Sequence, residues 1–222
     1  MHLLDLIFPP RCVSCNHLGT YFCQNCRRKI EFLEHQICPV CAKLAIGSAT
    51  HPRCQTRWGL DGMYALAHYR GPIKDAIFFL KYKFVTDLTD QLINILLNNL
   101  PEIIPQFDYL IPIPLHPRKE KERGFNQSFL IAKLLEKKLN IPLNINILYR
   151  IRYTQPQAKL KKKERLTNLD GAFSVGKNIN IAGKVIALVD DVSTTRATLF
   201  ESAKVLKSHG AHQVWGLVLA HG

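Results

Sequence analysis

The chain has 222 residues, 47% of them hydrophobic, and carries 30 Lys and Arg against 17 Asp and Glu for a formal charge of +13. That length and apolar content suffice for one sizeable core plus a small satellite module, and exclude a largely disordered chain. No stretch approaches the roughly 20 apolar residues of a membrane helix, and Leu3 to Phe8 is too short for a signal peptide's apolar region, so a cytoplasmic protein without a membrane span is expected.

All seven cysteines lie in the first quarter of the chain, in the order C-V-S-C, C-Q-N-C, C-P-V-C and H-P-R-C, with His51 standing where a cysteine would complete the fourth pair. A C-x-x-C turn aims two thiolates at one centre, and two such turns make a tetrahedral zinc site, so four pairs predict two zinc ions. Sequential pairing is preferred: Cys12, Cys15, Cys23 and Cys26 for the first ion, Cys38, Cys41, His51 and Cys54 for the second. An interleaved pairing, and a single zinc with some cysteines free, are the alternatives that spacing leaves open. The odd cysteine count and the absence of a secretion signal argue against a disulfide framework. A module this small buries too little apolar surface to fold alone, so zinc would contribute folding free energy on the order of 10 kcal/mol. His35 lacks a paired partner and is expected at the surface, and Arg27 to Leu33 reads as a short helix. The module is assigned residues 1–58 and the remainder residues 59–222, with 55–62 as a linker.

From Met63 onward strands and helices alternate. Strands are expected at Met63–Tyr69, Phe107–His116, Asn144–Tyr153, Val185–Val189 and Val214–Ala220. Helices are expected at Gly71–Tyr82, with Pro72 in the first turn, at Asp87–Leu100, at Asn126–Leu139 and at Ala197–Ser208. A polar, lysine-rich loop is expected from Thr154 to Asn180. Nearly all-apolar strands alternating with helices argue for a parallel sheet covered on both faces.

The charge is concentrated: Arg118 to Arg165 holds fourteen Lys and Arg against four Asp and Glu, a surplus of 10 out of 13. Such a block suits a polyanion, either nucleic acid or a phosphorylated small molecule, or else forms a solvated lysine-rich face.

The stretch V-I-A-L-V-D-D-V-S-T-T-R-A-T-L at 185–199 carries the sharpest chemistry. Ligands of α/β sheets bind beyond the carboxyl ends of strands, where the next helix begins. Asp190 and Asp191 fall at such an end. The backbone of Ser193, Thr194, Thr195, Arg196, Ala197 and Thr198, with the threonine hydroxyls, would form an anion cup. Phosphate in the cup and hydroxyls on the carboxylates describe a ribose 5-phosphate; an ordinary strand end with capping Asp and Thr is the plainer alternative.

This stretch resembles the signature of type I phosphoribosyltransferases. With R-G-F-N-Q at 123–127, T-Q-P-Q at 154–157 and R-L-T-N at 165–168, the whole chain resembles the ComF family of competence proteins. The resemblance implies an α/β fold, a type I phosphoribosyltransferase-like parallel sheet flanked by helices and preceded by a cysteine-rich zinc module. It further implies a part in natural transformation beside a DNA-translocating helicase, with recruitment to the inner face of the membrane by the uptake machinery.

Carried over by position, the loop Leu115 to Phe125 would bind pyrophosphate through Arg118, Lys119, Lys121 and Arg123. Gly124 would allow close approach or a positive φ. Asn126 is either a ligand or a helix N-cap. A covering segment, Thr154 to Asn168, would bring Lys159, Lys161, Lys162, Lys163 and Arg165 onto pyrophosphate or a nucleic-acid backbone, with Gln155 and Gln157 flanking Pro156.

The leading functional reading is a protein that binds incoming single-stranded DNA and retains a phosphoribosyl pyrophosphate pocket. Tyr149, Tyr153, Phe125 and Trp58 lie near basic residues and are candidates for base stacking, though each also suits ordinary packing. The second reading is a magnesium-dependent phosphoribosyltransferase with Asp190 and Asp191 as catalytic candidates and an undefined acceptor. A ligand-sensing regulator is a third, without a helix-turn-helix to support it. Arg196 occupies the position of the signature's glycine; either its backbone stays in the allowed region and its side chain swings outward, the preferred reading, or its guanidinium adds charge to phosphate or DNA.

Overall fold

The computed structural model describes residues 9–82, 86–101, 104–154 and 169–222. Its elements are α1 (Gln24–Arg27), β1 (Gly62–His68), α2 (Gly71–Tyr82), α3 (Thr86–Leu97), β2 (Tyr109–Pro112), α4 (Pro117–Arg123), α5 (Gln127–Leu139), β3 (Leu148–Arg150), β4 (Phe173–Val175), β5 (Val185–Ser193), α6 (Ala197–Ser208) and β6 (Gln213–His221). Strands β1, β6, β5 and β2 pair in that order, all parallel. The expected fold class, a phosphoribosyltransferase-like parallel sheet flanked by helices and preceded by a cysteine-rich module, is the one observed.

Residues alternate across β5 and so feed two cores. Ala187 and Val189 join Ile73, Ile77, Leu92 and Leu135 of α2, α3 and α5 on one face; Ile186 and Leu188 join Leu199, Ala203 and Leu206 of α6, with Leu148 and Phe173, on the other. Both faces being covered explains why the strands are apolar along their whole length.

Several expectations need correction. The cationic loop after β2 is mostly the helix α4: Pro117 opens it at a position where a missing N–H costs nothing, and the His116 ring accepts from the Arg118 amide at 3.3 Å. Gly124 closes it at φ 86°, its amide donating to Glu120 O at 2.7 Å, so its positive φ serves as a helix C-cap. The strand expected over Asn144–Tyr153 shrinks to β3, and it pairs antiparallel with β4, from within the expected 154–180 loop, to make a separate two-stranded ribbon. Proline-rich chain after Ile111 holds β2 to four residues. The helix expected from Arg27 to Leu33 is not formed, the single turn α1 ending at Arg27, and α3 stops at Leu97, short of Leu100. Strand β5 runs four residues past Val189, through both aspartates to Ser193.

The cysteine-rich module lies along the free edge of β1. Phe32 bridges antiparallel to Ala67, the Leu33 amide donates to Leu66 O at 3.1 Å, and the His68 amide donates to Glu31 O at 2.9 Å. The Gln36 side chain accepts from Ala65 N and donates to Ala65 O, both at 3.1 Å. An exposed parallel edge would template aggregation, and this segment closes it. Residues 55–62 are anchored too: the Asp61 carboxylate accepts from Val214 N at 2.7 Å and from Lys207 Nζ at 2.7 Å.

Candidate functional site

The eight expected metal ligands come together in two groups, Cys12, Cys15, Cys23 and Cys26, then Cys38, Cys41, His51 and Cys54, with ligand atoms within 4.8 Å of one another in each. The sequential pairing is therefore the observed one. Tetrahedral zinc with sulfur at about 2.3 Å needs ligand-to-ligand edges of roughly 3.8 Å. Cys15 Sγ lies 3.5 Å from Cys23 Sγ, and Cys41 Sγ lies 3.3 Å from His51 Nδ1, so both groups fit the ion. His51 Nε2 lies 2.7 Å from Leu44 O, which fixes the proton there and leaves Nδ1 as the ligand atom. Burial opposes ionisation of Cys12, but the amides of Cys23, Cys15 and Ser14 outweigh it and bring the thiol down to about 6. Amides of Cys41, His51 and Val40 likewise outweigh burial at Cys38 and bring it to about 7. Amides aimed at sulfur are what make a C-x-x-C turn a thiolate site. His35 is exposed, as expected.

The second centre lies at the carboxyl end of β5. Strand β5 runs through both aspartates, and both carboxylates reach helices of the α2, α3 and α5 face. Asp190 accepts from Ser128 Oγ of α5 at 2.8 Å and from the Asp191 amide at 2.9 Å. Asp191 is 3% exposed and ion-paired with Lys81 Nζ of α2 at 3.1 Å. Its Oδ2 has no hydrogen bond of good geometry among the described residues, so this is a pairing of charges, with an acceptor lobe left over. Burial first, then the Asp191 charge, raises the Asp190 carboxyl to about 7 against the lowering effect of Ser128 and Lys81.

Lys81 and Arg150 lie beside this pair, and two more cations lie beside them. Lys119 of α4 is held below the usual lysine range by burial and then by Arg123, Arg150 and Lys81, which places four positive groups close enough to repel one another. Lys81, Tyr82, Lys119, Glu122 and Arg123 line a cleft of about 300 Å³. Burial also lowers Arg150, with the Asp190 charge partly offsetting it. Of the cations expected here, Lys119 and Arg123 face the cleft; Arg118 turns away to pair with Glu122 at 3.2 Å, and Lys121 is exposed on the same helix. Lys159, Lys161, Lys162, Lys163 and Arg165, with Gln155 and Gln157, lie outside the described residues. Lys81, Arg150 and Ser128 went unnoticed in the sequence because no motif marks them.

The end of β5 and the loop before α6 carry two buried hydroxyls. The Oγ of Ser193 and Oγ1 of Thr195 are buried without a hydrogen-bond partner among the described residues. Ala197 is buried at the start of α6, while Thr194 and Thr198 are half-buried beside it. Asn126 is settled as the N-cap of α5: its Oδ1 accepts from Ser128 N and its Nδ2 donates to Ile113 O, each at 3.0 Å. Arg196 follows neither expectation. Its backbone takes the left-handed conformation, φ 62° and ψ 1°, as glycine would, and its guanidinium turns inward to Pro39 O at 2.8 Å.

A groove of about 820 Å³ runs along the β3–β4 ribbon, lined by Tyr149, Arg150, Ile151 and Lys177 among others. Tyr149 and Tyr153 are each 43% exposed and Ile151 62%. The Arg118 guanidinium lies 5.1 Å from the Tyr153 ring centroid, and His116 meets that ring edge-on at 5.3 Å. Trp58 is exposed elsewhere beneath Arg57, and Phe125 is half-buried.

Two tetrahedral cysteine sites joined to the edge of a parallel sheet, with an acidic pair and a hydroxyl loop at one strand end, define a zinc-ribbon protein of phosphoribosyltransferase-like fold. Residues 3–55 match the double zinc ribbon domain. Competence protein F of Haemophilus influenzae is 32% identical over 234 residues, covering 95% of this chain and 97% of its own. Competence protein ComFC of Bacillus subtilis is 29% identical, covering 85% and 78%, and the DNA utilization protein YhgH of Escherichia coli K12 is 29% identical, covering 92% of each. The chain belongs to the competence protein F family. Among solved structures, the glutamine phosphoribosylpyrophosphate amidotransferase of B. subtilis aligns at a TM-score of 0.43 and 16% identity, over 64% of this chain and 30% of that one. No helix among the described residues is long and apolar enough to cross a membrane.

Proposed function

We propose that this chain is a cytoplasmic competence protein that handles single-stranded DNA and keeps a pocket for phosphoribosyl pyrophosphate. The observation that carries the pocket is the cation cluster of Lys81, Lys119, Arg123 and Arg150, in which Lys81 pairs with Asp191 and Arg150 feels the charge of Asp190, at the end of the strand that leads to the unpartnered hydroxyls of Ser193 and Thr195. Cations at one side suit a pyrophosphate, and a hydroxyl loop at a helix N-terminus suits a 5-phosphate. The two aspartates between them suit ribose hydroxyls, which donate. Mg²⁺ would arrive with the pyrophosphate, since that ion keeps phosphate oxygens and waters in its shell. Calorimetric titration with phosphoribosyl pyrophosphate and Mg²⁺ is expected to give one site per chain, lost in Asp190→Ala with Asp191→Ala; absence of binding heat would sink the pocket.

The DNA reading is supported by the relatives' names and by the ribbon groove, where Tyr149 is exposed with Lys177, and by exposed Tyr153, which meets Arg118 and the groove residue His116. Aromatic faces stack on any base and cations follow the backbone, which suits single strands of varied sequence. A helicase partner would be tested by co-purification from competent cells.

One observation favours turnover as a second reading. A carboxyl at about 7, as burial makes Asp190, exchanges a proton near neutral pH and so has the acid–base character that catalysis uses. Release of pyrophosphate on incubation with nitrogen nucleophiles would establish it, and binding without release would leave the chain a binding protein.

A further inference from the structure

We propose that Arg196 is a positioning residue that ties the second zinc knuckle to the hydroxyl loop, so that zinc held by Cys38, Cys41, His51 and Cys54 sets the shape of a loop far from it in sequence. As an account of ligand binding this rests on the pocket proposed above; as an account of coupling it does not. Three segments meet at the guanidinium. One nitrogen donates to Pro39 O at 2.8 Å, and Pro39 lies between the ligands Cys38 and Cys41. The other lies 3.2 Å from His221 Nε2 at the end of β6. His221 Nδ1 lies 2.7 Å from Ser193 O, and the Gly222 amide donates to the same oxygen at 3.2 Å. Because arginine only donates, His221 Nε2 must accept and Nδ1 must carry the proton, which makes the contacts one directed chain.

The geometry explains why an arginine tolerates a glycine's place. A left-handed backbone costs a non-glycine residue on the order of 1 kcal/mol or more, and such strain persists only where surrounding contacts over-determine it. Here the guanidinium is half-buried, and its Nε has no hydrogen-bond partner among the described residues, so the remaining nitrogens depend on Pro39 and His221. Burial disfavours the charged guanidinium there, and the charges of Cys38 and Cys41 only partly offset it. Zinc held by Cys38 and Cys41 would fix the Pro39 carbonyl from both sides. With zinc gone it is free to move, the guanidinium loses its partner, and the strained residue between Thr195 and the first turn of α6 relaxes. A glycine at 196 would shape the loop without reference to zinc; the arginine makes the loop conditional on it.

The test uses the full-length, zinc-loaded protein, with release of each ion to a chelator followed by time and amide exchange followed by mass spectrometry. In the wild type, loss of the second zinc is expected to raise exchange across 193–198 about tenfold, the scale of a lost charged hydrogen bond. In Arg196→Gly the second zinc should leave about tenfold faster while the first is unchanged, and the loop's exchange should no longer respond to zinc. General destabilisation would instead speed both ions. Arg196→Lys, which keeps the charge but cannot span both acceptors, should behave as Arg196→Gly does and guards against a misfolded glycine variant. Unchanged loop exchange in the wild type after the second zinc departs, or an undiminished response in both variants, would overturn the proposal. Failure of phosphoribosyl pyrophosphate to bind any form would count against the pocket alone.

Discussion

Lys81 and Ser128 divide two neighbouring carboxylates between them, and the division makes each testable. Asp191 is nearly buried and has Lys81 as its charge partner. Lys81→Met should therefore cost about 3 kcal/mol in a denaturant titration, because it strands a buried charge, and adding Asp191→Asn should recover much of that. Asp190 behaves oppositely. Its carboxyl titrates near 7 when folded and near 3.8 when unfolded. Between those values the folded chain holds a proton that the unfolded chain has lost, so stability declines as pH rises through the window. Asp190→Asn removes that slope: equal to the wild type near pH 4, it should be more stable by a few kcal/mol at pH 8, read from unfolding midpoints at the two pH values.

At the scale of elements, the helix α4 and the β3–β4 ribbon reorganise the basic block. Helical spacing splits the cations of residues 118–123, sending Lys119 and Arg123 into the cleft and Arg118 toward Tyr153. Tyr149→Ala is expected to weaken binding of an oligothymidine about tenfold or more with no change in salt slope, since it removes stacking and no charge. Arg118→Gln should reduce the slope of log affinity against log salt by about 0.7, the share of one phosphate contact on a single strand, in fluorescence anisotropy. At the start of β1, Gly62 faces Trp215: an added Cβ would sit 2.1 Å from Trp215 Cζ3 and 2.6 Å from Ser48 O. Gly62→Ala should thus lower the melting temperature and disturb the seam between module and sheet together.

Over the whole molecule, the zinc module is part of the sheet domain's own core. Cys12, Phe22, Cys23, Cys26 and Ile30 are buried in one cluster with Ile73, Leu80 and Leu92. Thr50 N donates to Asp61 O at 2.7 Å, and Ala49 bridges to Gly62, which stitches the second knuckle to β1. Chelation is accordingly expected to lower the unfolding temperature of the chain in a single transition, seen alike by far-ultraviolet circular dichroism and by the fluorescence of Trp58 and Trp215. Two separate transitions would mean that residues 1–58 and 59–222 behave as the independent units that the cysteine distribution suggests.

Residue type and short-range spacing were enough to mark each C-x-x-C turn as a ligand pair, since such a turn fixes the relative placement of its own ligands, but the folded chain decided which turns come together. Type and spacing were also enough for the alternation of strands and helices, and for the acidic strand end followed by hydroxyls. What depended on the folded chain was everything joining residues far apart. Lys81 meets Asp191, Ser128 meets Asp190, and Arg196 meets Pro39 because three layers of structure bring their backbones together. A local pattern specifies torsions and periodicity; it carries no information about which distant surface will complete a buried charge. Arg196 shows the difference most clearly. Its sequence neighbours called for glycine-like backbone, which it adopts, but the partner that makes an arginine tolerable there lies 157 positions away in a zinc knuckle.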